Sequence, residues 1–228
     1  MSVSLRAAAM VVLGIALGLS CKRSGKTERA HERSATGQQQ PSARAIASRL
    51  RDGDLIFQQS TSAQSEMVGA LTGSRWTHMG VVFNEAAGPI VLEAVSPVRK
   101  TSLERWIARG RDGRYVVKRL RDGDSRLSRD AVAKMQALGA SWLGRPYDLR
   151  FRWDDEALYC SELAYKLFDR AAGVQLGKLE RAADMNLDDE RVQRAVRKRF
   201  ANAKFDPAET VVTPDSIFND GQLVDVDL

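Results

Sequence analysis

Short apolar runs separated by turn residues indicate strands in the first half of the chain. The residues that these runs place in strands are 55–57, 78–83, 90–95 and 115–120. Residues 84–89 supply turn formers between the second and third runs, so these two are predicted to pair as an antiparallel hairpin. Residues 60–74 fit a loop or a short helix, and residues 103–109 fit a second short helix.

The spacing of apolar residues becomes helical after residue 122. Ser128 is a favourable N-cap, and the pattern from there predicts a helix to Trp142. Asp154 or Asp155 is predicted to cap the next helix. The apolar face of that helix consists of Cys160, Leu163, Ala164, Leu167, Phe168 and Ala171. A last short helix is predicted to start at Thr213-Pro214-Asp215, so the body is one α+β domain.

The N-terminus has the pattern of a targeting segment. Arg6 precedes a small or apolar run from Ala7 to Leu19, which is shorter than the roughly 20 residues that a membrane-spanning helix needs. Gly18-Leu19-Ser20-Cys21 resembles the lipobox of bacterial lipoproteins, in which the cysteine is lipidated. The resemblance implies a signal peptide over residues 1–21, a lipid on Cys21, and a membrane-anchored lipoprotein on the periplasmic side of the bacterial cell envelope. The alternatives are a secreted protein cut near Ser20 and an uncleaved anchor.

The net positive charge of the chain lies almost entirely before the predicted domain. Residues 22–49 are polar and lack an apolar period, which predicts a flexible basic tether, and the domain is expected over residues 50–228. Seven Lys and Arg against two Glu lie in residues 22–50, whereas residues 51–228 hold 27 of each charge type. A neutral body argues against nucleic acid as a partner, because binding phosphates needs a cationic surface.

Candidate chemistry centres on the one cysteine and the one histidine of the body, Cys160 and His78. Two cysteines in the whole chain exclude a disulfide framework, and two histidines argue against a zinc cluster. Cys160 is predicted near the start of its helix, where exposed N–H groups favour a thiolate. The alternative interpretation of Cys160 is a small core residue on the apolar face of the helix.

His78 is the imidazole available as a general base for Cys160. Side chains alternate along a strand, so His78 and Gly80 share one face, and an antiparallel register can set His78 opposite or diagonal to Glu93. A carboxylate there would fix the tautomer of His78 and leave the other ring nitrogen facing the thiol. Gly80 would leave space on this face for substrate or for the cysteine helix. The alternatives are a hydrogen-bonded structural histidine and a solvated edge glutamate.

Five segments occur in an order that matches a known family. They are Gly53-Asp54-Leu55-Ile56-Phe57, Thr77-His78-Met79-Gly80-Val81-Val82, Leu92-Glu93-Ala94, Gly144-Arg145-Pro146-Tyr147-Asp148 and Tyr159-Cys160-Ser161-Glu162-Leu163. In this order the chain resembles the permuted papain-like cysteine hydrolases of the NlpC superfamily, YiiX type. The resemblance covers about residues 50–170, with a weaker match at residues 213–215. In ordinary members the cysteine helix precedes the histidine strand, and in the permuted branch the histidine comes first, as it does here.

The resemblance implies a circularly permuted papain-like fold, with an antiparallel sheet packed against the helix that carries Cys160. It implies that Cys160 is the nucleophile, that His78 is the base and that Glu93 orients the histidine. Tyr147 lies in the Gly-x-Pro-Tyr-Asp segment of the family and is expected at the substrate site. The implied activity is that of an amidase or peptidase that forms an acyl-enzyme without a metal or other cofactor. Its substrate is then a small peptide, amide or acyl compound, with cell-wall peptide as one candidate.

Two other functions remain open from the sequence. The same triad could serve an acyltransferase, a thioesterase or a lipid hydrolase, because permuted relatives include enzymes similar to lecithin–retinol acyltransferase. A membrane-tethered body could meet lipid acyl groups. The second alternative is a non-catalytic binding module of the envelope, in which Cys160 contributes only packing.

Overall fold

The structure is a computed structural model, and it describes residues 41–199 and 206–228. The strands are β1 (Leu55–Ser60), β2 (His78–Glu85), β3 (Gly88–Glu93), β4 (Arg99–Ser102), β5 (Gly110–Leu120), β6 (Glu180–Arg181), β7 (Thr210–Val211) and β8 (Leu223–Asp225). The helices are α1 (Ala43–Ile46), α2 (Ala63–Thr72), α3 (Leu103–Ala108), α4 (Gly123–Arg126), α5 (Arg129–Ser141), α6 (Cys160–Ala172), α7 (Glu190–Arg199) and α8 (Pro214–Phe218). Single 3-10 turns occur at Ala47–Arg49 and Ala182–Asp184.

Six strands form one antiparallel sheet in the order β4-β3-β2-β1-β5-β8. The predicted hairpin is confirmed as β2 and β3, which pair with Val81 opposite Leu92. Strands β6 and β7 form a separate two-stranded ladder. The predicted α+β class with an antiparallel sheet is therefore confirmed.

Both faces of the sheet are buried, each by a different set of helices. On one face Met79 and Val81 pack with Leu163 and Leu167 of α6, and Met135 of α5 joins this cluster. The opposite face forms a second, smaller cluster. Its buried members are Ile46, Leu50, Ile56, Val82, Val91, Leu103, Trp106, Tyr115 and Val117. Alternation along the strands separates the two sets, so neighbouring residues of β2 serve different cores.

Two of the predicted helix starts are confirmed by capping hydrogen bonds. Ser128 Oγ accepts from the Ala131 N–H at 3.2 Å, and Thr213 Oγ1 accepts from the Ser216 N–H at 3.0 Å. The prediction that Asp154 or Asp155 caps the next helix is wrong. Helix α6 begins at Cys160 itself, several residues after both aspartates.

The predicted tether ends earlier than residue 49. Residues 43–49 are helical, and Ser42 Oγ caps them by accepting from the Ala45 N–H at 3.3 Å. Ile46 is buried in the second core cluster together with Leu50. The described part of the domain thus starts before residue 50, because burial of Ile46 fixes a segment whose composition is otherwise polar.

The predictions for the extreme N-terminus fall on residues that the structure does not describe. These are the signal peptide over residues 1–21, the lipidated Cys21 and the tether as far as residue 40. In residues 41–199 and 206–228, none of the helices has the length and apolar character needed to cross a membrane.

Candidate active site

Cys160 is the first residue of α6, and it is buried and reduced. The chain reaches this point through a short extended stretch that is held by two backbone hydrogen bonds. The Leu158 N–H donates to Pro146 O at 3.1 Å, and the Asp148 N–H donates to Leu158 O at 3.1 Å. Glu162 then caps the helix by accepting from the Tyr159 N–H at 3.2 Å. The sulfur atom is therefore placed at the positive end of a helix of 13 residues.

His78 begins β2 and Glu93 ends β3, so the two residues lie at the same end of the hairpin. The register places Val81 opposite Leu92, which makes Glu93 a diagonal neighbour of His78 on one face. His78 Nε2 lies 2.7 Å from Glu93 Oε2. The sequence allowed an opposite or a diagonal placement, and the diagonal one is observed.

Gly80 lies on the same strand face as His78, beside Glu93. A Cβ at Gly80 would lie 2.4 Å from Val91 Cγ1 and 3.4 Å from Glu93 Cβ. The space that the sequence assigned to substrate or to the cysteine helix is instead filled by the neighbouring strand. The absence of a side chain at Gly80 therefore allows β3, with Glu93, to pack closely against β2.

Glu93 is held in place by three further groups that the sequence analysis did not identify. Thr101 Oγ1 donates to Glu93 Oε1 at 2.6 Å, and Arg109 Nη2 donates to the same oxygen at 2.5 Å. Arg99 Nε lies 3.7 Å from Glu93 Oε1. Thr101 and Arg99 come from the edge strand β4, and Arg109 directly follows α3. The spacing of these three residues in the sequence does not predict their contacts with Glu93, because only the folded sheet and α3 bring them next to it.

The pKa of Glu93 is lowered to about 2. Burial alone would raise this pKa, since it penalises the charged form. The hydrogen bond and charge of His78 oppose burial, and the donors Arg109 and Thr101 add to that effect. Glu93 is thus a buried carboxylate that remains ionised at neutral pH.

The imidazole of His78 interacts with two groups, Glu93 and Cys160. Since Nε2 is taken by Glu93, Nδ1 is the ring nitrogen left for the thiol. Burial would lower the pKa of His78, but hydrogen bonding and charge from Cys160 and Glu93 outweigh it and raise the pKa to about 9. The ring also stacks against Trp106, with centroids 5.9 Å apart and planes inclined by 23°. These contacts fix both the orientation and the charge of the imidazole.

The pKa of the Cys160 thiol is lowered although burial acts to raise it. The hydrogen bond and charge of His78 are the main causes, and backbone hydrogen bonds from Met79 and Ser161 contribute. A lowered thiol pKa and a raised imidazole pKa have the same consequence. The pair is stabilised as a thiolate and an imidazolium.

The residues on either side of Cys160 are both bound to the backbone of Val212. The Val212 N–H donates to Tyr159 Oη at 3.1 Å, and Ser161 Oγ donates to Val212 O at 2.8 Å. All of these groups are buried. We call this pair of bonds the Val212 clamp. It ties the start of α6 to the segment before α8.

A buried contact between a lysine and a glutamate lies one turn into α6. Lys166 Nζ donates to Glu162 Oε1 at 2.7 Å, and both side chains are buried. Burial raises the pKa of Glu162 to about 8 even though Lys166 acts to lower it. Lys166 also donates to Asp155 Oδ1 at 3.0 Å and to Asp154 O at 2.6 Å. The two aspartates that were predicted to cap the helix thus bind its side instead.

Cys160 lines one cleft and His78 lines another, and the two clefts share Val68 and Tyr147 in their walls. The apolar cleft reaches Cys160 and measures about 710 Å³ including its open mouth. Its lining includes Met67, Val68, Leu71, Tyr147, Phe151, Met185, Leu187 and Val211. The polar cleft reaches His78, and its lining includes Gln58, Ser60, Thr61, Ser62, Ser65, Val68, Thr77, Ser96, Arg109 and Tyr147. Tyr147, the residue predicted at the substrate site, is partly buried and lines both clefts.

This arrangement defines a class of protein. An antiparallel sheet that presents a histidine, next to a helix that begins with a cysteine, is typical of papain-like cysteine hydrolases. His78 precedes Cys160 in the chain, which is the permuted order. A family model described as permuted papain-like amidase enzyme, YaeF/YiiX, C92 family, matches residues 49–227. The chain belongs to this family, so the predicted relation to YiiX-type proteins is confirmed, whereas the link to the NlpC superfamily stays a prediction.

Two relatives from Escherichia coli illustrate the similarity. The chain is 36% identical over 182 residues to the uncharacterized protein YiiX of strain K12, which covers 80% of this chain and 88% of the relative. It is also similar to the crystal structure of metalloprotein yiiX from strain O157:H7. That comparison has a TM-score of 0.74 at 36% identity and covers 78% of this chain and 97% of the other.

Proposed function

We propose that the protein is a thiol-dependent amidase or peptidase that acts through Cys160, His78 and Glu93. The observation that carries this proposal is the position of His78. Its Nε2 lies 2.7 Å from a buried carboxylate, and its imidazole interacts with the Cys160 thiol and lowers the pKa of that thiol. Membership in a family of papain-like amidases supports the same reaction class.

The first half of the reaction forms an acyl-enzyme. The Cys160 thiolate attacks the carbonyl carbon of the substrate, and a C–S bond forms as the carbonyl oxygen becomes an oxyanion. The first N–H groups of a helix lack intrahelical acceptors, so the start of α6 can donate to that oxygen, which is typically worth several kcal/mol of barrier. The His78 imidazolium then gives its proton to the leaving nitrogen as the C–N bond breaks.

The second half releases the acyl group. Neutral His78 takes a proton from a water molecule, whose oxygen attacks the thioester carbon. Collapse of this second intermediate breaks the C–S bond and returns the thiolate, with the proton back on His78. Throughout, the Glu93 carboxylate stabilises the imidazolium and keeps Nδ1 directed at the sulfur.

Turnover of a panel of peptide amides, including cell-wall peptides, tests this proposal. We expect hydrolysis that is lost in Cys160→Ala and in His78→Ala, while circular dichroism shows that both variants remain folded. Full activity in folded Cys160→Ala would overturn the proposal. Absence of turnover combined with an unreactive thiol in wild type would favour the alternative of a non-catalytic module.

The apolar cleft favours a second candidate, namely acyl transfer or lipid hydrolysis on the same triad. The cleft borders Cys160 directly, and its walls offer methyl, thioether and aromatic groups. Such a surface suits an apolar acyl chain. Comparison of peptide amides with thioesters and phospholipids of matched chain length separates the two candidates by their kcat/KM values.

Location at the bacterial cell envelope is also a proposal. A lipid on Cys21 would hold the protein on the periplasmic side of a membrane, where cell-wall peptides and lipids are both within reach. The support for this comes from the sequence of residues 6–21.

The structural relative from strain O157:H7 is described as a metalloprotein. Within residues 41–199 and 206–228 of this chain, three or more His, Cys, Asp and Glu side chains nowhere gather in a group that could hold a metal ion.

A further inference from the structure

The polar cleft is lined by His78, the residue that protonates the leaving group in the proposed mechanism. His78 lines this cleft, whereas Cys160 lines the apolar one. Because His78 protonates the leaving nitrogen in the proposed mechanism, that nitrogen lies towards His78. The part of the substrate attached to it therefore extends into the polar cleft.

The walls of the polar cleft are rich in hydroxyl groups. Ser60, Ser62 and Ser65 form a hydrogen-bonded chain, with Oγ–Oγ distances of 3.1 Å and 3.2 Å. In the described part of the chain, Arg109 is the one charged residue that lines this cleft apart from titratable His78, and none of the lining residues is acidic. A neutral or anionic ligand is therefore compatible with the cleft, and a cationic ligand would meet a guanidinium with no carboxylate in the lining.

Arg109 is placed to bind a ligand while it holds Glu93. Its Nη2 donates to Glu93 Oε1, and 37% of its side chain is exposed. A guanidinium has five N–H donors, and Glu93 is the acceptor that the described residues provide. Glu93 also faces the cations of His78 and Arg99, so its single negative charge does not neutralise Arg109, which keeps donors for a second anion.

Arg109 is linked to the imidazole of His78 through Glu93. One carboxylate bridges His78 Nε2 and Arg109 Nη2, at 2.7 Å and 2.5 Å from its two oxygens. In an amide formed by an α-amino acid, the free carboxylate is two bonds away from the amide nitrogen. A leaving group of this type therefore carries its negative charge near the nitrogen that His78 protonates.

We propose that the polar cleft binds the leaving portion of the substrate, and that this portion is an amino acid whose free α-carboxylate pairs with Arg109. The inference rests on the proposed amidase function. Guanidinium and carboxylate match in shape and can form two parallel hydrogen bonds. Arg109 is then a specificity residue for the departing amine, in addition to its contact with Glu93.

The test compares amides that share one acyl group and differ only in the charge of the leaving amine. The probes are N-octanoylglycine and N-octanoylethanolamine, measured with wild type, Arg109→Gln and Arg99→Gln. Gln at either position removes a cation near Glu93, but only Arg109 lines the polar cleft. We expect wild type to favour the glycine amide by about tenfold or more in kcat/KM, the scale of a charged hydrogen bond. Arg109→Gln should bring this ratio near one, and Arg99→Gln should keep it.

Binding to an inactive protein separates this inference from the proposed function. The same two compounds are titrated calorimetrically into Cys160→Ala and into the double variant Cys160→Ala, Arg109→Gln. Preference for the glycine amide that disappears with Arg109 supports the inference even if wild type turns over neither compound. Equal binding of the two compounds, or a preference that survives Arg109→Gln, overturns it. Should Arg109→Gln fail to fold, Arg109→Lys keeps the charge without the paired donors and should reduce the ratio.

Discussion

Glu93 and His78 form a hydrogen bond of 2.7 Å that runs diagonally across the β2–β3 hairpin. The bond links the last residue of one strand to the first residue of its neighbour. Glu93 is fully buried and receives Thr101 and Arg109 on its other oxygen. The carboxylate is thereby fixed as an anion, and its charge is directed at the imidazole that faces Cys160.

Replacement of Glu93 by Gln should lower kcat strongly with little change in KM. The neutral amide keeps the size of the side chain but no longer stabilises the imidazolium, so the pKa of His78 should fall from about 9. We expect a loss in kcat of roughly 100-fold or more. Thr101→Val is the control, because it removes one donor to Glu93 and leaves the carboxylate present. An effect of Thr101→Val as large as that of Glu93→Gln would contradict the role of the charge.

The pH profile of kcat/KM should show an alkaline limb near pH 9. The pKa of His78 is raised to about 9, and the imidazolium must be protonated to give its proton to the leaving group. Activity should therefore persist below that pH and decline above it. Glu93→Gln should move the alkaline limb to lower pH. A limb that stays in place in this variant would show that His78 does not set it.

The Val212 clamp should affect catalysis more than remote hydrogen bonds of the same kind. Ser161→Ala removes the donor to Val212 O and leaves a buried carbonyl unpaired, which costs about 1–3 kcal/mol of unfolding free energy. We expect kcat to fall as well, because the start of α6 loses an anchor beside Cys160. Ser141→Ala is the matched control, since Ser141 Oγ donates to the Leu138 carbonyl at 2.6 Å at an exposed position of α5. Equal kcat in both variants would limit the clamp to a role in stability.

Gly80 should tolerate no larger residue. A Cβ there would lie 2.4 Å from Val91 Cγ1 and 2.8 Å from Leu92 O, and backbone cannot move aside without disturbing the hairpin. We expect Gly80→Ala to destabilise the protein by about 1–3 kcal/mol in urea unfolding. A Cβ at Gly221 would meet open space, so Gly221→Ala should leave the unfolding midpoint nearly unchanged. Similar midpoints for the two variants would mean that β2 and β3 are packed less closely than observed.

The lipid anchor is tested by replacing Cys21. We expect Cys21→Ser to abolish incorporation of labelled palmitate in bacterial cells and to lower the membrane-bound fraction of the protein, because acyl chains supply most of the membrane affinity. Cys160→Ser, which removes the other cysteine of the chain, should remain lipidated. Incorporation of labelled palmitate into the Cys21→Ser variant would disprove lipidation at this residue.

The sequence predicted those features that depend on local pattern. Alternation and turn residues identified β2 and β3, and face sharing on strands made the His78–Glu93 contact possible. The strand β4 was missed because Arg99–Ser102 is polar, and it is a strand only through its ladder with β3. The cap of α6 was predicted wrongly because an aspartate was expected at the N-cap position. That position is occupied by Tyr159, and the Glu162 side chain accepts from its N–H instead.

The second group of misses depends on tertiary contacts. Arg109 and Thr101 reach Glu93 from different elements, so the spacing of these residues in the sequence does not predict their contacts with Glu93. Ile46 is a single apolar residue in a polar stretch, so the sequence did not predict that it is buried. Its burial in the second core cluster makes the tether end before residue 49. Both depend on surfaces that exist only after the sheet has formed.

The most direct measurement is the rate of alkylation of Cys160 by iodoacetamide as a function of pH. It is made on the folded chain carrying Cys21→Ser, with modification at Cys160 followed by mass spectrometry. We expect a midpoint below the ordinary thiol pKa of about 8.5, because His78 lowers the pKa of the Cys160 thiol, and a higher midpoint when His78→Ala is added. A midpoint near the ordinary thiol value that His78→Ala does not move would contradict a Cys160 thiolate held by His78.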